Sequence, residues 1–181
     1  FSGIQRSGGA DGLVPEIIVV DNGSSDGTVS IIEQYAQELP ITLIRYAGNR
    51  GTTRPRNEAL RKVRGETICI LDSDAVLLEG SLAEIRDYLN GNPDTGIVAP
   101  KLIFPDGTIQ ESVRKFPTAA SKFSKIPFIV LRLPFTDSDT YESFPFTGPT
   151  RVDYAISACW FFRRDLLDTV GYLDENIFYA P

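Results

Sequence analysis

The chain has 181 residues, 42% hydrophobic and 23% charged, which is ordinary for a globular protein and enough for one domain with a real core. A formal net charge of −6 excludes wholesale nucleic-acid binding, and no apolar run reaches the roughly 18 residues that span a membrane. Histidine is absent, so His-based triads and His-ligated metals are excluded and any chemistry falls to carboxylates, backbone and a bound cofactor.

In chain order, residues 1–14 (FSGIQRSGGADGLV) carry no strand or helix pattern. Glu16–Asp21 (EIIVVD) is a β-branched run ending in an acid, as expected of a parallel strand buried on both faces. NGSSDGT is rich in turn and cap residues and leads into a helix, VSIIEQYAQEL. ITLIRY is a second strand, and AGNRGTTRP is a loop with Pro55 near the start of the helix RNEALRKVR. ETICIL is a third strand ending at Asp72, GSLAEIRDYLNG a helix with Gly91 at its C-terminus, and GIVAP a short strand. This alternation predicts an α/β fold, an open and mostly parallel sheet with helices on both faces. Ligands of such sheets sit at the carboxyl ends of the strands, where Asp21 and Asp72 both fall.

Beyond Pro100 the texture changes. KLIFPDGTIQES reads as a hairpin around PDG. Residues 117–150 are rich in Pro, Ser, Thr and Phe and read as irregular. The apolar patch within them, IPFIVLRLPF, is short and bracketed by prolines. It is expected to be a loop packed on the core, with peripheral membrane contact as the alternative. RVDYAISACWFF is strand-like, and RRDLLDTVGYLDENIF opens with a short helix closed at Gly171. Cys69 and Cys159, each isolated in an apolar run, read as buried thiols of a reducing compartment. That points to the cytoplasm, including the inner face of the membrane.

Thr67–Leu77 (TICILDSDAVL) closes an apolar strand with two carboxylates one residue apart. Such neighbours repel each other. Asp-x-Asp suits a hard divalent ion, Mg²⁺ or Mn²⁺, which takes oxygen ligands and keeps positions open for substrate phosphate. The plainer alternative is that Asp72 caps the strand turn and Asp74 is solvated. In VVDNGSSDGT, Asp21 precedes Gly23, two serines and a helix N-terminus. Backbone N–H groups there could meet a ligand, and Asp21 could accept from a base N–H or a sugar hydroxyl. An Asx turn with Ser25 or Asp26 as N-cap fits the same residues. Arg54 and Arg56, near a helix start, suit an anionic ligand or are surface charge.

Four pieces in order, EIIVVDNGSSDGT, GNRGTTRPRNEAL, GETICILDSDAVLLEGSL and ACWFFRRDLLDTVGYLDENIF, resemble the family-2 glycosyltransferases of the GT-A fold. They cover most of the chain from Glu16 to Phe178. PDGTIQESVRKFP followed by RVDYAISACWFFRR is similar to the rhamnosyltransferase-like branch, which moves rhamnose from dTDP-rhamnose onto polysaccharide or lipid-linked acceptors. The resemblance implies that Asp21 contacts the nucleotide base, with Asn22, Gly23 and Ser24 beside it on the donor. It implies that Asp72 and Asp74 hold the metal and the donor diphosphate with Ser73 between them, and that Arg56 and Asn57 flank the donor pocket. Trp160, Asp174 and Glu175 fall on the acceptor side. It also implies a single GT-A domain over 1–181, with a nucleotide-binding half at about 15–100 and an acceptor-side half at about 101–181.

The chain departs from the family pattern in three places. An opening strand of the type SVIIPTYN, which the family sets between the strands ending at Asp21 and Asp72, is not found. ISACWFF replaces the small-residue SGA before the double arginine. The catalytic base, normally in an acidic ED pair after an FY segment, is expected beyond Pro181. The chain is therefore expected to be incomplete at both ends and inactive alone. Two other readings fit parts of the sequence. One is a non-catalytic sugar-nucleotide-binding module. The other is a haloacid dehalogenase-like phosphatase, whose Asp-x-Asp start matches DSDAVL.

Overall fold

The computed structural model describes residues 15–116, 118–119, 144 and 146–179. Residues 1–14, the apolar run 126–135 and most of the irregular stretch 117–150 lie outside the described residues. The chain divides into two compact units, one running to Val98 and resuming at Ser157, the other Ala99–Ile156.

In the first unit, β1 (Ile17–Asp21) leads through α1 (Thr28–Tyr35) to β2 (Ile41–Arg45). The two strands pair in parallel, with Ile17 opposite Ile41 and Asp21 opposite Arg45. Helix α1 buries Ile32 and stops at Tyr35, short of the expected Leu39. Its carbonyls there are taken by tight turns, Gln37 N–H to Gln34 O and Glu38 N–H to Tyr35 O. Helix α2 (Thr53–Leu60) packs on β1 and starts ahead of Pro55. Pro55 is its third residue, where the missing N–H would have had no partner within the helix. β3 (Thr67–Leu71), α3 (Ser81–Gly91) and β4 (Ile97–Val98) follow. Gly91 is the last helical residue, at the expected C-terminus.

The second unit holds the expected hairpin. β5 (Leu102–Ile103) and β6 (Ile109–Gln110) pair antiparallel around Asp106, whose Oδ1 accepts the Thr108 N–H at 2.9 Å and its hydroxyl at 2.6 Å. β7 (Val113–Arg114) pairs antiparallel with β8 (Tyr154–Ala155). The run expected as one strand over 151–162 is thus two, broken at residues 156–158.

The second part of that run, β9 (Cys159–Arg163), returns to the first unit and lies between β3 and β4, antiparallel to both. Cys159, Phe161 and Phe162 are all buried, which only a strand covered on both faces allows. Phe162 joins Leu60 and Ile68 in the core, with Val63, Ile70, Leu166 and Leu167 packed around them. At the far end of β9 the Arg163 guanidinium donates to the carbonyls of Leu89, Pro93 and Thr95 at 2.7, 2.6 and 2.9 Å. It gives the Leu89 carbonyl in the last turn of α3 a second donor besides the Asn92 N–H, and ties down the chain just beyond the helix. A short helix, α4 (Leu166–Val170), follows and ends at Gly171.

Register also joins the two cysteines. Cys69 faces Phe161 and Cys159 faces Leu71, so both thiols lie on one face of the β3–β9 pair, one diagonal apart. They are free thiols hydrogen-bonded to each other, which with burial pushes the Cys69 thiol well above its ordinary range. Isolated in sequence, they are neighbours in space. No helix among the described residues is long and apolar enough to cross a membrane.

Candidate functional site

Asp21 ends β1 and is buried. Its Oδ1 accepts the Ser24 N–H, three residues on, at 3.1 Å where the chain leaves the strand. Asp26 Oδ1 accepts the Thr28 N–H at 2.9 Å just ahead of α1. Asn22, expected beside the donor, has a side chain that staples two loops. Its Nδ2 donates to Asn49 Oδ1 at 3.0 Å and to the Gly51 carbonyl at 2.8 Å, and its Oδ1 accepts the Arg50 N–H at 2.8 Å. Both amide hydrogens are engaged within the protein, so the side chain has no donor left for a ligand. Gly23 completes the staple. It sits at φ +89°, and a Cβ there would lie 2.6 Å from the Gly48 Cα. Ser24 is exposed.

The end of β3 is built differently. The Asp72 N–H donates to the Ala158 carbonyl at 2.9 Å, and the Asp72 carbonyl accepts the Ala75 N–H at 3.1 Å, turning the chain through Ser73 and Asp74. Asp72 Oδ1 accepts from Arg56 Nη2 at 2.8 Å, while Arg56 Nη1 donates to Ser157 Oγ at 3.1 Å. The Arg56 side chain is 16% exposed and that of Asp72 41%. Ser73 and Asp74 are exposed, and Asp74 makes no hydrogen bond or ion pair. The open strand end therefore holds one carboxylate paired to a guanidinium and one without a partner. Among the described residues no three His, Cys, Asp or Glu side chains converge into a metal cage.

Asn57 follows Arg56 on α2 but serves a different segment. It is fully buried. Its Nδ2 donates to the Leu173 carbonyl at 2.8 Å and to Glu175 Oε1 at 3.1 Å, and its Oδ1 accepts the Leu173 N–H at 2.9 Å. This side chain, expected beside the donor, is thus engaged at both ends inside the protein. Arg61 Nη2 donates to the same Glu175 oxygen at 2.8 Å, and Arg54 Nε lies 3.5 Å from the other. The hydrogen bonds from Arg61 and Asn57 hold the Glu175 carboxyl below its usual range. Farther along, the Thr52 N–H donates to the Phe178 carbonyl at 2.7 Å and the Thr53 hydroxyl donates to that of Ile177. Gly51, at φ +81°, lets Phe178 approach so closely that a Cβ would meet its carbonyl oxygen at 2.1 Å. Asp174 is exposed, and its Oδ1 accepts from the backbone and side chain of Asn176, each at 2.9 Å.

Of the residues singled out from the sequence, the structure joins Arg56 to Asp72 and Asn57 to Glu175. No hydrogen bond or ion pair links Asp21 to Asp72 or Asp74, and Trp160 lies half-buried on β9 opposite Ile70. Ser157, Arg61 and Gly48 were not anticipated. Gly48 opens the motif GNRG and could have been suspected as a close-approach glycine, whereas Ser157 and Arg61 carry no local signal.

The model of Glycosyl transferase family 2 matches residues 5–171. An uncharacterized glycosyltransferase of Bacillus subtilis, YfnE, is 41% identical over 69 residues, 38% of this chain and 18% of that protein. The Staphylococcus aureus poly(ribitol-phosphate) β-N-acetylglucosaminyltransferase TarS is 32% identical over 76 residues, 41% of this chain and 13% of that protein. This chain therefore spans less than a fifth of the length of either relative. The crystal structure of TarS superposes with a TM-score of 0.57 at 22% identity, covering 91% of this chain and 26% of that one. The mannosyltransferase PcManGT of Pyrobaculum calidifontis, in complex with GDP-Man and Mn²⁺, superposes with a TM-score of 0.54 at 23% identity, covering 90% of this chain and 39% of that one. The phosphatase reading falls with these matches: the chain belongs to glycosyl transferase family 2 and has its GT-A fold.

Proposed function

We propose that the protein moves a sugar from a nucleotide-diphosphate donor to a polysaccharide or lipid-linked acceptor on the cytoplasmic side. We place the donor at the carboxyl ends of β1 and β3, in the half of the chain at about residues 15–100. The observation that carries this reading is the open pair Asp72 and Asp74 at a strand end, with the Arg56 guanidinium beside it. Asp21, with Oδ2 unpartnered, accepts from the nucleotide base. Trp160, Asp174 and the chain around Glu175 line the acceptor side.

The β3 end fits a divalent cation. Mg²⁺ and Mn²⁺ at nucleotide sites take one or two carboxylates and complete their shell from substrate phosphates, so the lack of an all-protein cage is what such a site requires. Asp72 and Asp74 would hold the ion. When bound, it supplies positive charge against the departing nucleotide diphosphate. Arg56 adds N–H donors for the same phosphates, and the Asn22 staple keeps the neighbouring loop in place. Glu175 is kept ionised by Arg61 and Asn57, which suits an anchor and not a proton acceptor.

For the donor sugar we favour rhamnose from dTDP-rhamnose, on the resemblance of PDGTIQESVRKFP and RVDYAISACWFFRR. TarS and PcManGT are named for other sugars, so the test is comparative. Binding of dTDP-rhamnose, UDP-GlcNAc, UDP-glucose and GDP-mannose is followed by Trp160 fluorescence with Mn²⁺ and with EDTA, and transfer is followed by donor consumption. Metal-dependent binding with a preference for dTDP-rhamnose is expected. Asp21→Ala should weaken free nucleoside diphosphate and nucleotide-sugar alike, by about tenfold. Equal binding in EDTA would remove the metal role, and a preference for another donor would remove the rhamnose assignment. Binding without turnover on any acceptor would favour the non-catalytic module.

A further inference from the structure

We propose that Arg56 is a resident counter-cation: without nucleotide it occupies Asp72 and keeps a divalent ion off that carboxylate, so metal enters together with the nucleotide diphosphate and not before it. This deepens the donor-site reading above and rests on it. The two carboxylates of the strand end are unequally prepared. Asp74 is exposed and unpartnered, whereas Asp72 already carries a guanidinium at 2.8 Å.

That guanidinium is held on two sides. Nη2 binds Asp72 and Nη1 binds the hydroxyl of Ser157, a residue only 4% exposed. It is a permanent cation, since arginine does not deprotonate in proteins. A divalent ion seeking Asp72 meets a fixed positive charge well inside the screening length of physiological salt. Asp74 alone is a single solvated carboxylate, a poor site for a hard divalent ion that needs several oxygens. A diphosphate reverses the balance. Its charge draws on the remaining N–H donors of Arg56, and its oxygens complete the ligand set. Asp72 is then shared between two cations, and the diphosphate compensates both.

Mn²⁺ affinity is read from the free-ion electron paramagnetic resonance signal for the wild type, Arg56→Gln and Arg56→Lys, with and without UDP, dTDP or GDP. Circular dichroism reports folding. Without nucleotide, Arg56→Gln should bind Mn²⁺ about tenfold more tightly than the wild type, the size expected from removing a close charge. Arg56→Lys, which keeps the charge, should stay near the wild type. A nucleoside diphosphate should tighten Mn²⁺ on the wild type by at least about tenfold and narrow the gap to Arg56→Gln. A merely structural arginine would give the opposite sign, weaker metal binding on its removal. If Arg56→Gln does not fold, Ser157→Ala, which frees the guanidinium on one side, should show a smaller gain of about threefold. Equal or weaker Mn²⁺ binding by these variants, while nucleotide-loaded wild type still takes the ion, overturns the proposal and leaves the donor-site reading intact. Failure of every form to bind Mn²⁺, with any nucleotide, removes the metal role itself and this proposal with it.

Discussion

Asp72 with Asp74 and Asp174 with Glu175 are two acidic pairs joined to one helix, and α2 treats them in opposite ways. Glu175 receives Asn57, Arg61 and Arg54, and Asp174 closes its own turn on Asn176. At the β3 end a single guanidinium serves Asp72, and Asp74 has no partner. The same functional group is an anchor where donors outnumber it and an open ligand where they do not. Adjacent residues make the division, Arg56 reaching the open pair and Asn57 the closed one.

The comparison is broken most severely at Asn57. Asn57→Leu leaves the Leu173 N–H and carbonyl without partners, each worth about 1–3 kcal/mol when buried, so a loss near 3 kcal/mol in urea unfolding is expected. A loss below about 1 kcal/mol would mean that the closed pair is held by other contacts.

Asp74→Asn probes the open pair and should do the reverse. Mn²⁺-supported UDP binding should weaken about thirtyfold, near 2 kcal/mol, while the urea midpoint stays put because no protein contact is lost. A drop in stability with binding unchanged would exchange the roles of the two pairs.

The smallest effect comes from pH. Glu175 titrates below its ordinary value when folded, so its contribution is complete above that value and disappears as pH falls through the lower, folded one. Between about pH 5 and pH 3 the melting temperature of the wild type should therefore fall slightly more than that of Glu175→Gln. Glu175 is exposed to screening, so the difference is expected to be minor. Parallel curves would show that the ion pairs with Arg61 and Arg54 add nothing measurable.

The elements whose sequences are continuous apolar runs were legible. β1, β2 and β3 follow EIIVVD, ITLIRY and ETICIL within a residue or two, because burial on both faces demands such runs. The insertion of β9 between β3 and β4 was not, since pairing across about ninety residues leaves no local periodicity to read. The same gap hid the contact between Cys69 and Cys159. At the proposed site, the placement of Asp21, Asp72 and Asp74 at strand ends was legible, because the alternation of elements dictates it. Asn22 and Asn57 were placed beside the donor by the resemblance alone, and their partners inside the protein could not be read because a sequence displays an amide and not what it bonds. Both amides are engaged by backbone groups that only the folded loops bring within reach.

The meeting of Gly23 and Gly48 is lopsided. A methyl group on Gly23 would collide with the Gly48 backbone, which no side-chain rearrangement can move aside, whereas a methyl group on Gly48 would meet nothing within 4 Å. Descendants of this chain should therefore drift unevenly across the contact. Position 48 can sample alanine or serine with little consequence, while position 23 stays glycine for as long as Asn22 ties the two loops together.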